Sequence, residues 1–95
     1  MFIVELTYKV ELEKVDAYLA AHIAYLEKQY ARGAFIASGR KVPRTGGVIL
    51  SKLASKAELL EVLEEDPFKI NDLADYKVLE FVPTMTSEAF DVLKE

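Results

Sequence analysis

The sequence has no cysteine, a single histidine and no long apolar run, and each of these absences excludes a class of protein. Without cysteine there is no disulfide framework, no thiolate nucleophile and no zinc site built on sulfur. One histidine, His22, excludes a multi-histidine metal centre within one chain. No apolar stretch approaches the roughly 20 residues that span a bilayer. The first residues show no basic stretch before an apolar run, so no signal peptide is predicted.

Basic residues are also in the minority. The chain has 12 lysines and arginines against 16 aspartates and glutamates, and its net charge of −4 has the wrong sign for a non-specific nucleic-acid binder. A hydrophobic fraction of 52% and a charged fraction of 29% are typical of a globular protein. We therefore expect a small soluble protein of the cytoplasm that binds neither nucleic acid nor membrane.

The pattern of apolar residues predicts four strands and two principal helices. In chain order the predictions are a strand over 2–9, a helix over 12–32, strands over 34–38 and 48–53, a helix that Ser55 caps in a capping box with Glu58, a turn over 67–73, a strand over 76–82 and a short helix over 87–94. This βαββαβ order predicts a ferredoxin-like α+β fold, in which a four-stranded antiparallel sheet carries both helices on one face.

The two predicted helices cover only one face of the predicted sheet. Apolar residues occur on both faces of the third and fourth predicted strands, and these residues are Val48, Ile49, Leu50, Val78, Leu79, Phe81 and Val82. An exposed apolar face of several hundred Å² is unusual on a monomer. Because two-fold dimers are the commonest assembly, we predict a homodimer joined through the uncovered sheet face.

His22 and Asp66 are the first candidates for chemistry. His22 lies on the apolar stripe of the first helix, where it is either a core histidine tied to a backbone carbonyl or a general acid/base. Asp66 precedes Pro67, which predicts an N-cap for the following turn. The second carboxylate oxygen of such a cap remains able to orient an imidazole. The two residues are far apart in the chain, so only the fold can bring them together.

Basic residues and glycines are concentrated in the segment 38–47. Glycine lets a ligand approach the backbone, and an arginine fork binds a carboxylate with two hydrogen bonds. The candidate ligand-binding residues are therefore Ser38, Gly39, Arg44, Gly46 and Gly47, with Tyr76 added because its hydroxyl can reach a pocket. The alternative is a solvated hairpin loop. The segment matches neither a P-loop nor a dinucleotide-binding fingerprint.

Taken in order, these segments resemble the YCII-related (YciI-like) family of small bacterial proteins. The segments that carry the resemblance are the mid-helix His22 and residues 37–39, 43–47, 66–68, 74–76 and 80–81. The resemblance covers Met1 to about Thr84. It predicts one domain over 1–95, with a core over 1–84 and a C-terminal extension over 85–95.

The resemblance implies a dimeric α/β-barrel and an active site that contains a histidine and an aspartate, which are His22 and Asp66 here. It also implies that the serine–glycine and arginine–glycine–glycine segments contribute to the site. Many members carry an arginine three residues before the histidine, where this chain has Leu19. That anion-binding role is therefore absent here or supplied by Arg44 or Arg40. A dehydrochlorinase-type elimination known in one branch is not carried over.

Two functions follow as hypotheses. The first is a cofactor-independent enzyme in which Asp66 orients His22, and His22 moves a proton in an isomerisation or elimination of a small anionic metabolite. Arg44 holds the substrate carboxylate, and Ser38 or a glycine N–H stabilises oxyanion charge. The second is a non-catalytic ligand-binding or accessory module that uses the same cleft. For a third, haem or metal binding through His22, no spacing supplies a second ligand.

Overall fold

The computed structural model describes Met1–Glu95 and contains four strands, four α-helices and one 3₁₀ helix. In chain order these are β1 (Phe2–Tyr8), α1 (Leu12–Ala17), α2 (Leu19–Ala31), β2 (Phe35–Arg40), β3 (Gly46–Ser51), α3 (Lys56–Leu63), α4 (Pro67–Ile70), β4 (Ala74–Glu80) and the 3₁₀ helix (Glu88–Leu93). None of the helices combines the length and apolarity needed to cross a bilayer.

The strands form one antiparallel sheet in the order β2–β3–β1–β4. The central strand β1 alternates between the two faces, because successive side chains of a strand point in opposite directions. Phe2, Val4 and Leu6 are buried in the core with the helices, whereas Glu5 and Thr7 are exposed. This architecture confirms the predicted ferredoxin-like α+β fold.

The predicted first helix is divided in two. At Tyr18 the backbone has φ −109° and ψ 5°, so α1 ends there and α2 begins at the next residue. The apolar stripe nevertheless continues across the break: Val15 on α1 and His22 and Tyr25 on α2 are all buried. Periodicity alone therefore predicts one helix where the chain forms two.

Strand boundaries also differ from the prediction. The strand β2 extends to Arg40 and β3 begins at Gly46, so both ends of the segment 39–47, which the sequence leaves outside the predicted strands, lie within strands. Cross-strand pairing of Gly39 with Val48 and of Arg40 with Gly47 outweighs the low strand preference of glycine. The strand β4 runs from Ala74 to Glu80 rather than over 76–82, and the terminal helix is of the 3₁₀ type.

Helix ends follow the predicted caps. The Ser55 hydroxyl oxygen accepts a hydrogen bond of 3.2 Å from the Glu58 backbone N–H at the start of α3. The Asp66 carboxylate accepts one of 2.9 Å from the Phe68 backbone N–H, with Pro67 at the first position of α4. The second cap fixes the backbone at the residue that carries the candidate carboxylate.

The sheet face opposite the core carries an apolar patch. Ile3 of β1 is paired with Leu50 on one side and with Leu79 on the other, and Leu79 is 57% exposed. Farther along the same face the surface is charged, and Lys41 Nζ lies 3.3 Å from Glu5 Oε2. The apolar half of this face agrees with the sequence-based expectation.

The backbone of β3 passes close to that of β1 at Gly46, and we therefore predict a strict requirement for glycine there. A Cβ atom there would lie 1.8 Å from the Leu6 carbonyl oxygen, whereas a Cβ at Gly39 would meet no atom within 4 Å. We expect Gly46→Ala to lower the free energy of unfolding by at least ~1–3 kcal/mol. The clash is with the main chain of Leu6, which cannot move aside as a flexible side chain can. Gly39→Ala is the matched control and should change it by no more than ~0.5 kcal/mol. Urea unfolding followed by circular dichroism measures both, and equal stabilities would contradict the prediction.

Candidate active site

The fold brings His22 and Asp66 into direct contact. His22 lies on α2, Asp66 caps α4, and these two helices pack against each other. His22 Nδ1 is 2.8 Å from Asp66 Oδ1. Asp66 is fully buried and His22 is nine-tenths buried. The two candidate residues that lie far apart in the sequence therefore form one hydrogen-bonded pair.

The Asp66 carboxylate accepts hydrogen bonds at both oxygens. Oδ1 accepts from the Phe68 backbone N–H in addition to His22, and Oδ2 accepts from the Tyr76 hydroxyl at 2.5 Å. An ionised carboxylate is an acceptor only, so the shared proton belongs to His22 Nδ1. This assigns the Nδ1–H tautomer to the neutral ring and leaves the lone pair on Nε2.

The His22 imidazole is held flat against Phe68. The two ring centroids are 3.9 Å apart and the planes differ by 4°. Phe68 is itself fixed, because it is buried at the start of α4 and contacts the Tyr8 ring edge-on at 6.0 Å. With Nδ1 bound to Asp66 and one ring face on Phe68, the imidazole has a single orientation. Nε2 forms no hydrogen bond within the chain, and it is not fully buried. It is therefore accessible to a ligand.

His22 forms part of the wall of a cavity of about 460 Å³. Such a volume is within the range of small-molecule sites, roughly 300–1,000 Å³. The apolar part of the wall consists of Leu6, Tyr8, Leu19, Ile23, Leu26, Val48, Ile49 and Phe68. No aspartate or glutamate lines the cavity, whereas Arg40 and Arg44 both do. The cavity therefore suits a small ligand with an apolar body and an anionic group.

The two arginines differ in their partners. Arg44 Nη2 lies 2.5 Å from Asp16 Oδ1, and this hydrogen bond raises the pKa of Arg44. The contact ties the loop between β2 and β3 to α1. Arg40 forms no salt bridge within the chain. Of the two residues that the sequence suggested for anion binding, Arg40 is thus the one whose charge is not already compensated.

The predicted serine and glycines all lie on the cavity wall, but their surroundings differ. The Ser38 hydroxyl is hydrogen-bonded to the Tyr30 hydroxyl. Gly46 is required by its close approach to β1, and a Cβ at Gly47 would lie 2.9 Å from the Gly39 carbonyl oxygen. Gly39 has open space around it. Packing accounts for Gly46 and Gly47, whereas a side chain at Gly39 would meet no neighbour.

Tyr76 does not line the cavity, in contrast to the sequence-based prediction that it contacts a ligand. Its position on β4 places the ring on the helix-facing side of the sheet, where its hydroxyl donates to Asp66. The hydroxyl therefore binds another residue of the protein, and Asp66 lies between it and the His22 imidazole.

The sequence pattern assigns no role to Phe68, Tyr8 or Asp16, although all three shape the site. For Phe68 a signal exists, since it directly follows Asp66 and Pro67 and a cap places its neighbours near the capping carboxylate. For Tyr8 and Asp16 there is no local signal. Their contacts with Phe68 and Arg44 depend on how strands and helices pack.

Comparison with protein-family models matches residues 1–82 to the YCII-related domain. The chain belongs to the YCII-related family. The match confirms the resemblance inferred from the ordered segments of the sequence, and the 3₁₀ helix of this YCII-related chain lies beyond it. A search of curated proteins gave no significant match.

Among solved structures, this YCII-related chain is similar to 5-chloro-2-hydroxyhydroquinone dehydrochlorinase (TftG) from Burkholderia phenoliruptrix AC1100, in complex with 2,5-dihydroxybenzoquinone. The TM-score is 0.74 at 23% sequence identity, and the alignment covers 84% of this chain and 91% of that chain. At this identity the likeness establishes the shared fold.

From the environments of Tyr76 and Tyr25 we predict a loss of stability at alkaline pH. Burial, together with the nearby Asp66 charge, raises the pKa of Tyr76 and of Tyr25 above the ordinary value near 10. Above about pH 10 the unfolded chain therefore ionises tyrosines that the folded chain keeps neutral. The free energy of unfolding should be at its full value below that pH and decrease as the pH rises further. Tyr76→Phe should reduce this decrease.

Denaturant unfolding at a series of alkaline pH values measures the effect. Tyr18→Phe, which removes a hydroxyl at a more exposed position, is the control and should retain the wild-type decrease. A free energy of unfolding that stays constant through this range in the wild-type chain would contradict the prediction.

Proposed function

We propose that this chain is a small enzyme that catalyses proton transfer on an anionic metabolite without a cofactor. His22 is its base, and Asp66 is the positioning residue behind it. The observation that carries the proposal is the 2.8 Å contact between His22 Nδ1 and Asp66 Oδ1 at the wall of a ligand-sized cavity. Nucleophilic catalysis by cysteine is excluded by composition.

The chemistry follows from which nitrogen is free. His22 Nε2 accepts a proton from a carbon next to a carbonyl group, which leaves the electron pair on the substrate as an enolate. The imidazolium that forms is stabilised by the Asp66 carboxylate through Nδ1–H. The proton then returns to another carbon in an isomerisation, or a leaving group departs with its electron pair in an elimination. The Ser38 hydroxyl, which lies on the cavity wall, stabilises the enolate oxygen.

The substrate class follows from the cavity wall. Apolar side chains surround the position next to His22, and the formal charges that line the cavity are those of Arg40 and Arg44. A short or cyclic carbonyl compound with a carboxylate or acidic hydroxyl group satisfies both parts of the wall. The arginines would bind the acidic group and so place the reacting carbon against Nε2.

The similar solved structure supports this substrate class. TftG is a dehydrochlorinase and holds 2,5-dihydroxybenzoquinone, a ring with two carbonyl and two acidic hydroxyl groups. A planar ring of this kind has the apolar body and anionic edge that the present cavity accommodates. Loss of chloride is one form of elimination, but the cavity of this chain supports the broader class of proton transfer rather than that particular substrate.

We predict that a variant without the His22 imidazole loses catalysis but still binds the ligand. Small cyclic and aromatic carbonyl acids, including 2,5-dihydroxybenzoquinone, are first tested for binding by the rise that they cause in the unfolding midpoint. On those that bind and carry an exchangeable C–H next to a carbonyl, NMR in D₂O measures the rate of deuterium incorporation. We expect His22→Gln to lower this rate at least ~10²-fold, because general-base catalysis typically contributes ~10²–10⁴. Asp66→Asn should lower it in the same direction.

The matched control is Asp72→Asn, which changes an exposed aspartate outside the site. It should leave the exchange rate unchanged. If ligands bind but the wild-type chain does not accelerate exchange, or if binding and exchange persist unchanged in His22→Gln, the enzymatic proposal is wrong. The second of the two hypotheses, a non-catalytic binding module, then accounts for the cavity.

We also propose that the chain forms a homodimer through the apolar half of the uncovered sheet face, giving a dimeric α/β-barrel. Ile3, Leu50 and Leu79 lie on adjacent strands of this face and form a continuous apolar surface. A second copy of the chain presents the same surface, so a two-fold axis would bury both at once.

We predict that a charged substitution on this face changes the mass of the assembly in solution. Sedimentation equilibrium should give about twice the 10.7 kDa chain mass for the wild type and the mass of one chain for Leu79→Lys. Leu60→Lys places the same charge at a 45% exposed leucine on α3, away from the sheet face, and should remain dimeric. A monomeric wild-type chain, or a dimeric Leu79→Lys variant, would contradict the assembly.

A further inference from the structure

Tyr76 is bound to the group that holds the proposed base, although it does not reach the cavity. Its hydroxyl donates a hydrogen bond of 2.5 Å to Asp66 Oδ2, the oxygen that His22 does not use. We propose that Tyr76 is a positioning residue of the site. It holds the carboxylate so that Oδ1 faces His22 Nδ1, and thereby maintains the tautomer that leaves Nε2 free. This inference rests on the proposed function of His22.

A buried carboxylate needs hydrogen-bond donors from the protein. Asp66 has no solvent exposure, so protein donors must replace the water that its oxygens have lost. Oδ1 has two donors, the Phe68 backbone N–H and His22 Nδ1–H, whereas Oδ2 has only the Tyr76 hydroxyl. Without that hydroxyl, Oδ2 would compete with Oδ1 for the remaining donors. The carboxylate would then rotate, and the bond to His22 would loosen.

Tyr76 is suited to act as a permanent donor. Burial and the Asp66 charge raise its pKa, so the phenol keeps its proton. Its ring is held from two sides. On β4 it is paired with Leu6 of β1, and Lys69 Nζ of α4 lies 5.1 Å from the ring centroid. The hydroxyl is therefore directed at Asp66 by both the sheet and the helix.

Tyr25 provides a matched comparison for Tyr76. It is buried, whereas Tyr76 is half-buried, and its ring centroid lies 6.3 Å from that of His22. Its hydroxyl, however, donates a hydrogen bond of 2.8 Å to the Val62 carbonyl oxygen and none to Asp66. Tyr25→Phe and Tyr76→Phe each remove one hydroxyl hydrogen bond near the imidazole, but only the second removes a bond to the carboxylate.

The experiment is ¹⁵N NMR of the imidazole in its neutral form, which the single histidine makes free of overlap. In the wild-type chain we expect two widely separated ring-nitrogen resonances, from a protonated Nδ1 and an unprotonated Nε2. Tyr76→Phe should draw the two resonances together, because both tautomers become populated. Tyr25→Phe should leave their separation unchanged. Unchanged ring-nitrogen shifts in a folded Tyr76→Phe variant would show a merely structural contact and overturn the proposal.

Asp66→Asn distinguishes this inference from the proposed function. If the wild-type ring is not the Nδ1–H tautomer, or if Asp66→Asn does not change it, the pairing of base and carboxylate is itself wrong. If Asp66→Asn changes the tautomer and Tyr76→Phe does not, only the role of Tyr76 is wrong. The wild-type Tyr76 hydroxyl proton gives a second readout that needs no variant. It should be a slowly exchanging downfield resonance with contacts to the Tyr76 ring protons, and its absence overturns the proposal.

Discussion

A carboxylate without solvent contact is tolerated only when hydrogen-bond donors replace the lost water, and this constraint at Asp66 organises the site. Its three donors come from three elements: His22 from α2, the Phe68 backbone from α4 and Tyr76 from β4. One negative charge thereby connects two helices and an outer strand of the sheet. The same contacts that satisfy the charge also determine where the imidazole lies.

The roles of helix cap and charge partner are compatible in Asp66 because a carboxylate has two oxygens. The cap at Phe68 fixes the backbone, and the contact with His22 fixes which ring nitrogen carries the proton. The stacking of the imidazole on Phe68 restricts the ring further. The result is a single unpaired nitrogen at the wall of a cavity that carries arginines and no acidic side chain. This combination favours the binding of an anion and the removal of a proton from it.

Local signals in the sequence were sufficient to predict the fold. The alternation of β1 and the caps at Ser55 and Asp66 act over a few residues, so they survive in the structure. Strand boundaries were harder to predict, because pairing with β3 and β1 draws Gly39 and Gly46 into strands against their intrinsic preference.

The site could be predicted only in part. Family resemblance suggested the His22–Asp66 pair, whereas spacing did not, because their contact depends on the packing of α2 against α4. The role of Tyr76 depends on the detailed packing around its hydroxyl, which the sequence does not show. A tyrosine on the correct face of a strand can reach either a cavity or a neighbouring carboxylate, and only the packing of α4 on β4 decides which.

The most direct test of the account is a crystal structure of the chain with 2,5-dihydroxybenzoquinone. We expect electron density for the ring in the cavity, with an oxygen or carbon of the ring within about 3–3.5 Å of His22 Nε2 and the acidic edge toward Arg40 or Arg44. We also expect Asp66 to stay in contact with Nδ1. A ligand bound elsewhere, or an Nε2 covered by the chain's own side chains, would contradict the claim that this nitrogen is the base.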